Sequence, residues 1–187
     1  MDARSALLCS ALVLAATLAC NRPAEEAGPP AAVVNEALDL SLSAVPAPFD
    51  GVVNEGETLE LTTADGSGRV AFRVGPSGQY PNLKEVAEQY GKAFEERPSG
   101  EYHGSLELGT HWGPAYYSRG SWQGEGARRE ETRIFALHPE AADRLLEVSY
   151  LYPAGEGQER VQQLFAVVAE VVVPEVVVPE PGPAAEE

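Results

Sequence analysis

The chain has 187 residues, a formal net charge of −16 at pH 7, 44% hydrophobic residues and two cysteines. That length holds one domain of ordinary size with its own core. The acidity keeps the chain soluble and repels phosphate backbones, which excludes nucleic acid and direct adsorption to anionic lipid headgroups.

Residues 1–19 read as a lipoprotein signal peptide. The apolar run from Ala6 to Thr17 is too short to span a bilayer, which needs roughly 20 apolar residues. Arg4 precedes it and small residues follow, the pattern of an export signal. Leu18-Ala19-Cys20 resembles a lipobox: Ala19 is the small residue before the cysteine, while Thr17 stands where the motif has leucine. Cleavage before Cys20 makes it the N-terminus and the carrier of the acyl chains that hold the protein to a membrane. Cys9, preceded by bulky Leu8, is a poor rival. An ordinary secretory signal cut near Ala19 and an apolar helix of the fold are the competing readings. With Cys9 removed and Cys20 acylated, no thiol remains for disulfides, thiolate metal sites or redox chemistry. The signal takes Asp2 and Arg4 with it, so the mature charge stays −16. Asn21 after Cys20, in place of an aspartate, resembles the sorting pattern that sends enterobacterial lipoproteins to the outer membrane, facing the periplasm.

Residues 20–35 are expected to be the anchor and a tether whose proline, alanine and glutamate content cannot bury a core. A globular domain is expected over residues 36–172. Within it Leu38–Ser43 alternates apolar and polar residues, the period of a half-buried strand, and Leu59–Thr62 repeats the pattern. Beyond the turn Ala64-Asp65-Gly66-Ser67-Gly68, Val70, Phe72 and Val74 complete a hairpin. The period then becomes helical: Leu83, Val86, Tyr90 and Phe94, with Ala87 and Ala93 beside them, share one face. Asn82 and Glu85 form the capping box of that helix, and Pro98 and Gly100 end it. Strands follow over residues 102–108, 115–122, 129–137 and 145–152. The last places Leu146, Val148, Tyr150 and Tyr152 on one face. A second helix over residues 158–172 turns Val161, Leu164, Phe165, Val168 and Val172 inward. Residues 173–187 close the chain as an acidic Pro/Val tail, in which Val171–Glu175 is nearly copied by Val176–Glu180. Its prolines interrupt any ladder, leaving a solvated tail or a docking strand for a partner. The element order predicts an α+β fold, an antiparallel β-sheet between helices.

The hairpin Leu59–Val74, the helix after Asn82, the strands from Ala115 to Tyr152 and the closing helix after Val148-Ser149-Tyr150-Leu151-Tyr152-Pro153 resemble the PsbP-like and DcrB-like families. The likeness lies in element order and hydrophobic rhythm and covers most of residues 36–172. It implies a single-domain α/β/α sandwich, and an accessory or assembly role in an exported or lipid-anchored protein. It carries no catalytic residues to this chain.

Catalytic motifs are missing from the sequence. No serine sits in a Gly-x-Ser-x-Gly elbow. Gly124-Glu125-Gly126 has no third glycine for a dinucleotide fingerprint, and Asp65-Gly66-Ser67-Gly68 lacks the further acidic ligands of a calcium loop. His103, His111 and His138 fall on separate segments at no ligand spacing. The expectation is therefore a protein that is not an enzyme, with no metal and no cofactor.

Two features rise above this background. Trp112, Tyr116, Tyr117 and Trp122 gather in one segment, and a strand places Tyr116 and Trp122 on one face and Tyr117 on the other. One face must be core; the other is further packing or a contact surface. The second feature is a basic island, Arg119, Arg128, Arg129 and Arg133, with Arg129 and Arg133 on one strand face. Beside Glu130 and Glu131 it reads either as cross-strand ion pairs or as an anion-recognition patch. The candidate binding surface is Trp112, Tyr116, Tyr117, Arg119, Trp122, Arg129 and Arg133. The functional expectation is a lipid-anchored envelope protein that binds another envelope protein as an accessory or assembly factor. The alternative is a carrier that holds a small amphipathic ligand between sheet and helix.

Overall fold

The period-two segments of the chain assemble into one large antiparallel sheet. The computed structural model describes residues 32–77 and 82–173. In chain order these form β1 (Val33–Asn35), β2 (Leu40–Leu42), β3 (Phe49–Glu55), β4 (Thr58–Thr63), β5 (Arg69–Pro76), α1 (Leu83–Glu95), β6 (Glu101–Thr110), β7 (Gly113–Gln123), β8 (Arg128–Leu137), β9 (Arg144–Pro153) and α2 (Gly157–Ala169). Seven strands pair in the order β3-β4-β5-β9-β8-β7-β6, and β1 and β2 form a separate ribbon. The fold is α+β, with helices on both faces of the sheet, as the element order predicts. Among the described residues no helix is long and apolar enough to cross a membrane.

Cys20, the signal segment and the tail from Pro174 lie outside the described residues, as does the tether up to Ala31. The tether expectation over 20–35 is corrected at its end, because Val33–Asn35 pair with β2. Asn35 is 3% exposed. Its side-chain amide donates to Asn54 Oδ1 at 2.7 Å and to the Gly56 carbonyl at 3.0 Å, which satisfies the buried group.

One face of the sheet packs on α2 and the ribbon. Leu59, Leu61, Val70, Phe72, Ile134, Leu146, Val148 and Tyr150 all point there and are buried with Leu40, Leu42, Leu164, Val167 and Val168. Each large apolar side chain so buried contributes about 1.5–3 kcal/mol. On α2 the inward stripe is Leu164, Val167 and Val168, continued by Val171, so the helix ends at Ala169 and not at Val172. Phe165 and Val172, expected inward, are 40% and 41% exposed. Phe165 lies off the i, i+3, i+4, i+7 stripe, and Val172 lies beyond the helix end, where its N–H donates to the Ser41 carbonyl at 2.8 Å. β3 escaped the sequence pattern because only its first residue, Phe49, is buried and a bulge follows at Gly51.

On the opposite face α1 lies across β6 and β7 and reaches β8. Its N-terminus is held by the Glu85 N–H donating to Asn82 Oδ1 at 2.8 Å, one half of the expected capping box. The helix sits very close to the sheet. A Cβ added at Gly120 meets the Phe94 ring at 2.3 Å, and one at Gly91 meets the Tyr102 ring at 2.4 Å. Phe94 is fully buried and has no room to yield. Gly120→Ala is therefore expected to cost about 2 kcal/mol by overpacking, read as a lower urea midpoint at unchanged m-value.

At the far end of β8, His138 is 3% exposed. Its Nε2 is 3.0 Å from the Leu38 carbonyl and its Nδ1 accepts the Glu140 N–H at 3.2 Å, which together specify the neutral Nε2–H tautomer. Burial pushes its pKa below the usual imidazole range and nearby Arg144 adds to this, against weaker opposite pulls from the Leu38 carbonyl, Glu140 and Asp39. A folded-state pKa below the unfolded value means that the unfolded chain binds the extra proton first. Stability from this site is full above about pH 6.5, the unperturbed imidazole value, and falls as the pH drops below it. His138→Gln keeps a donor and an acceptor without a titrating group. Between pH 7 and pH 5 it should lose less stability than the parent chain, and identical slopes would remove His138 as the cause.

Candidate functional site

The candidate site is the part of the sheet face that α1 leaves open. Register fixes its layout. Across β8, β9 and β5, Glu131 stands beside Leu151 and Arg69, Arg133 beside Ser149 and Ala71, and Phe135 beside Glu147 and Arg73. Small Ala71 and Ser149 make a low floor between large neighbours. The result is a trough of about 340 Å³ lined by Glu60, Arg69, Ala71, Arg73, Arg97, Trp122, Glu131, Arg133, Ser149 and Leu151.

One wall is rigid. Arg97, just past α1, lays its guanidinium over the Trp122 ring at 4.1 Å and the Phe94 ring at 4.9 Å. Arg133 lies over the Tyr90 ring at 3.8 Å. Both arginines converge on Glu131, whose Oε2 is 3.2 Å from Arg97 Nη1 and whose Oε1 accepts Arg133 Nε at 2.7 Å. Tyr90 Oη donates to the same carboxylate at 3.0 Å and accepts from Arg97 Nη2 at 3.2 Å. Burial and the adjacent Glu131 charge push the Tyr90 phenol well above its ordinary range, so it stays a donor at any physiological pH. Arg133 also pairs with Glu147. The other wall is free. Arg69 reaches Glu60 only at 3.6 Å with 53% of its side chain exposed, and exposed Arg73 carries no ion pair among the described residues.

The seven residues singled out in the sequence separate. Trp122 and Arg133 line the trough, and Arg129 stands opposite Trp122 without being part of the lining. Tyr116 shares their face but packs beneath α1 and donates to Glu107 at 3.0 Å. Tyr117 faces the other way, against the core. Arg119 is on that far face too, paired with Glu130 at 2.9 Å and pressed against Gly157 at the start of α2. Trp112 sits in the β6–β7 turn, its indole N–H donating to the Leu137 carbonyl at 2.9 Å. Arg119, on the far face, and Trp112, in the β6–β7 turn, are not among the residues that line the trough.

Sequence reasoning missed Arg69, Arg73, Arg97 and Tyr90. A signal for two of them was present: Arg69 and Arg73 alternate with Val70, Phe72 and Val74, so they must face away from that core side. Between sheet and α2, Phe49, Tyr150, Tyr152 and Leu164 fill the space. Among the described residues no three His, Cys, Asp or Glu side chains converge to hold a metal. The trough offers guanidinium donors, one aromatic face and a small apolar floor. Guanidinium groups are charged hydrogen-bond donors matched in geometry to carboxylate and phosphate.

The sequence matches no protein-family model and no curated protein. Solved structures share its fold. The solution structure of cyanobacterial PsbP (CyanoP) from Synechocystis sp. PCC 6803 superposes with a TM-score of 0.55 at 8% identity, over 77% of this chain and 92% of that one. LpqN, involved in cell envelope biogenesis of Mycobacterium tuberculosis, gives 0.53 at 13% identity over 80% and 88%. The Ran-binding protein Mog1p of Saccharomyces cerevisiae gives 0.53 at 11% identity over 76% and 94%. The domain has the PsbP-like fold.

Glu131 is the residue on which the rigid wall turns. Glu131→Gln leaves two arginines at 29% and 13% side-chain exposure without their shared counter-charge. The expected loss is about 2–3 kcal/mol, a drop in Tm of roughly 5–10 °C. Tyr90→Phe keeps the stacking and removes only hydrogen bonds, for a loss of about 1 kcal/mol. Thermal unfolding of the two variants side by side checks the order; a neutral Glu131→Gln would show the arginines to be solvated.

Proposed function

We propose that the protein is a lipid-anchored component of the bacterial cell envelope, held at Cys20. It acts without catalysis, as an accessory or assembly factor that binds another envelope protein. The observation that supports this reading is the trough: a concave, cationic surface on the open part of the sheet, with one wall organised by ion pairs and ring stacking. The fold agrees with it, since one structural neighbour takes part in cell envelope biogenesis and another is a Ran-binding protein. The filled space between sheet and α2 gives the carrier alternative no support. By its lipobox and Asn21 the anchor belongs to the outer membrane, with the domain in the periplasm.

Native mass spectrometry of the protein purified from its own detergent-solubilised envelope tests both parts. The expected species is a chain beginning at Cys20 that carries acyl mass and a stoichiometric protein companion. Cys20→Ala should move the protein from the membrane fraction to the soluble one. An unacylated chain that still sediments with membranes would overturn the anchor, and a lipidated monomer with a bound metabolite would overturn the accessory role.

A further inference from the structure

We infer that the trough receives an extended acidic segment of a partner polypeptide, with two carboxylates four residues apart set against Arg69 and Arg73. The inference rests on the accessory reading, in that the occupant is protein, and adds what the occupant presents.

Charge selects the sign of the ligand. Four arginines, Arg69, Arg73, Arg97 and Arg133, face three carboxylates, Glu60, Glu131 and Glu147, so the patch is positive on a chain of net −16. At physiological ionic strength the rest of that charge is screened beyond about 8 Å, and the local arginines govern what docks. Arg97 and Arg133 are already committed to Glu131 and Glu147. The unspent donors are those of Arg73 and most of those of Arg69.

Spacing selects the kind of ligand. Arg69 and Arg73 lie on one face of β5, with their Cα atoms about 14 Å apart from a strand rise of about 3.4 Å per residue. A single phosphate engages both only if the two side chains bend toward each other over Ala71, and bending them costs rotamer freedom. An extended peptide lying along β5 has the same rise, so its side chains i and i+4 fall over the two guanidiniums. Side chain i+2 then falls over Ala71, beside Ser149 and Leu151, where the floor is low enough to accept it. Trp122, with Arg97 stacked on it, closes the opposite side. Carboxylate–guanidinium pairs are geometrically specific as well as strong.

The test uses the whole mature chain and short fluorescein-labelled peptides of Val, Ser and Thr carrying two glutamates at every spacing from i,i+1 to i,i+6, read by fluorescence anisotropy. The i,i+4 peptide is expected to bind about tenfold tighter than the i,i+1 peptide or its glutamine version, a difference of about 1.4 kcal/mol. Arg69→Gln/Arg73→Gln should abolish that preference. Lys84→Gln, which removes an exposed positive charge on α1, should leave it intact. A series that is flat with spacing, or undiminished binding by the double variant, overturns the inference. So does displacement of the peptide by pyrophosphate at concentrations where glutarate has no effect, since the site would then be one for phosphate. If the double variant loses the peptide preference yet keeps the envelope companion, the companion docks elsewhere and the trough assignment fails while the accessory reading stands. Absence of any companion from the parent protein overturns the accessory reading instead.

Discussion

A seven-stranded sheet has more surface than the two short helices among the described residues can cover, and most of what distinguishes this domain follows from that shortfall. Strands about 4.8 Å apart make a sheet roughly 30 Å wide, while one helix with its side chains is about 10–12 Å across. On one face α2 has help: the β1–β2 ribbon lies beside it and the two together bury a continuous apolar core. On the other face α1 covers the β6–β8 side, and among the described residues no second helix joins it. The remainder has to be compatible with water, and the strands supply it with Arg69, Ala71, Arg73, Glu147 and Ser149 in register. The trough is thus the solvated part of a sheet whose other side is the core.

Charged residues on that open face are ordered by the edge of the covered half. Glu131 is 6% exposed because α1 and the loop after it shade it. A carboxylate so placed requires compensation, and Arg97, Arg133 and Tyr90 provide it from three directions. The same contacts fix two guanidiniums on aromatic rings, so a ligand meets one wall that is already organised and one, Arg69 and Arg73, that is free to adapt. Binding to such a surface loses less side-chain entropy than binding to a bare strand of arginines. The dense α1 contact at Gly91 and Gly120 holds this wall at its height above the sheet.

The sequence by itself determined the period of nearly every element. Alternation named β4, β5 and β7–β9, and the helical stripe with its Asn82 cap named α1. The order of those elements was enough for the PsbP-like fold. It also paired Trp122 with Tyr116 and Arg129 with Arg133 on shared strand faces, because period two is a property of the backbone alone. Where burial was one-sided or brief the sequence was silent, as at β3 and β1, or pointed a side chain wrongly, as at Phe165.

Tertiary structure decided which strands are neighbours. β5 pairs with β9, and that pairing alone sets Arg69 opposite Leu151, Ala71 opposite Ser149 and Arg73 opposite Glu147. It decided too which of the two faces of β7 is covered by α2 and which by α1, so that Tyr117 packs in the α2-side core while Tyr116 lies beneath α1. Side-chain alternation is local and can be read from one strand; strand adjacency depends on burying the most apolar area in one core, which no single segment encodes.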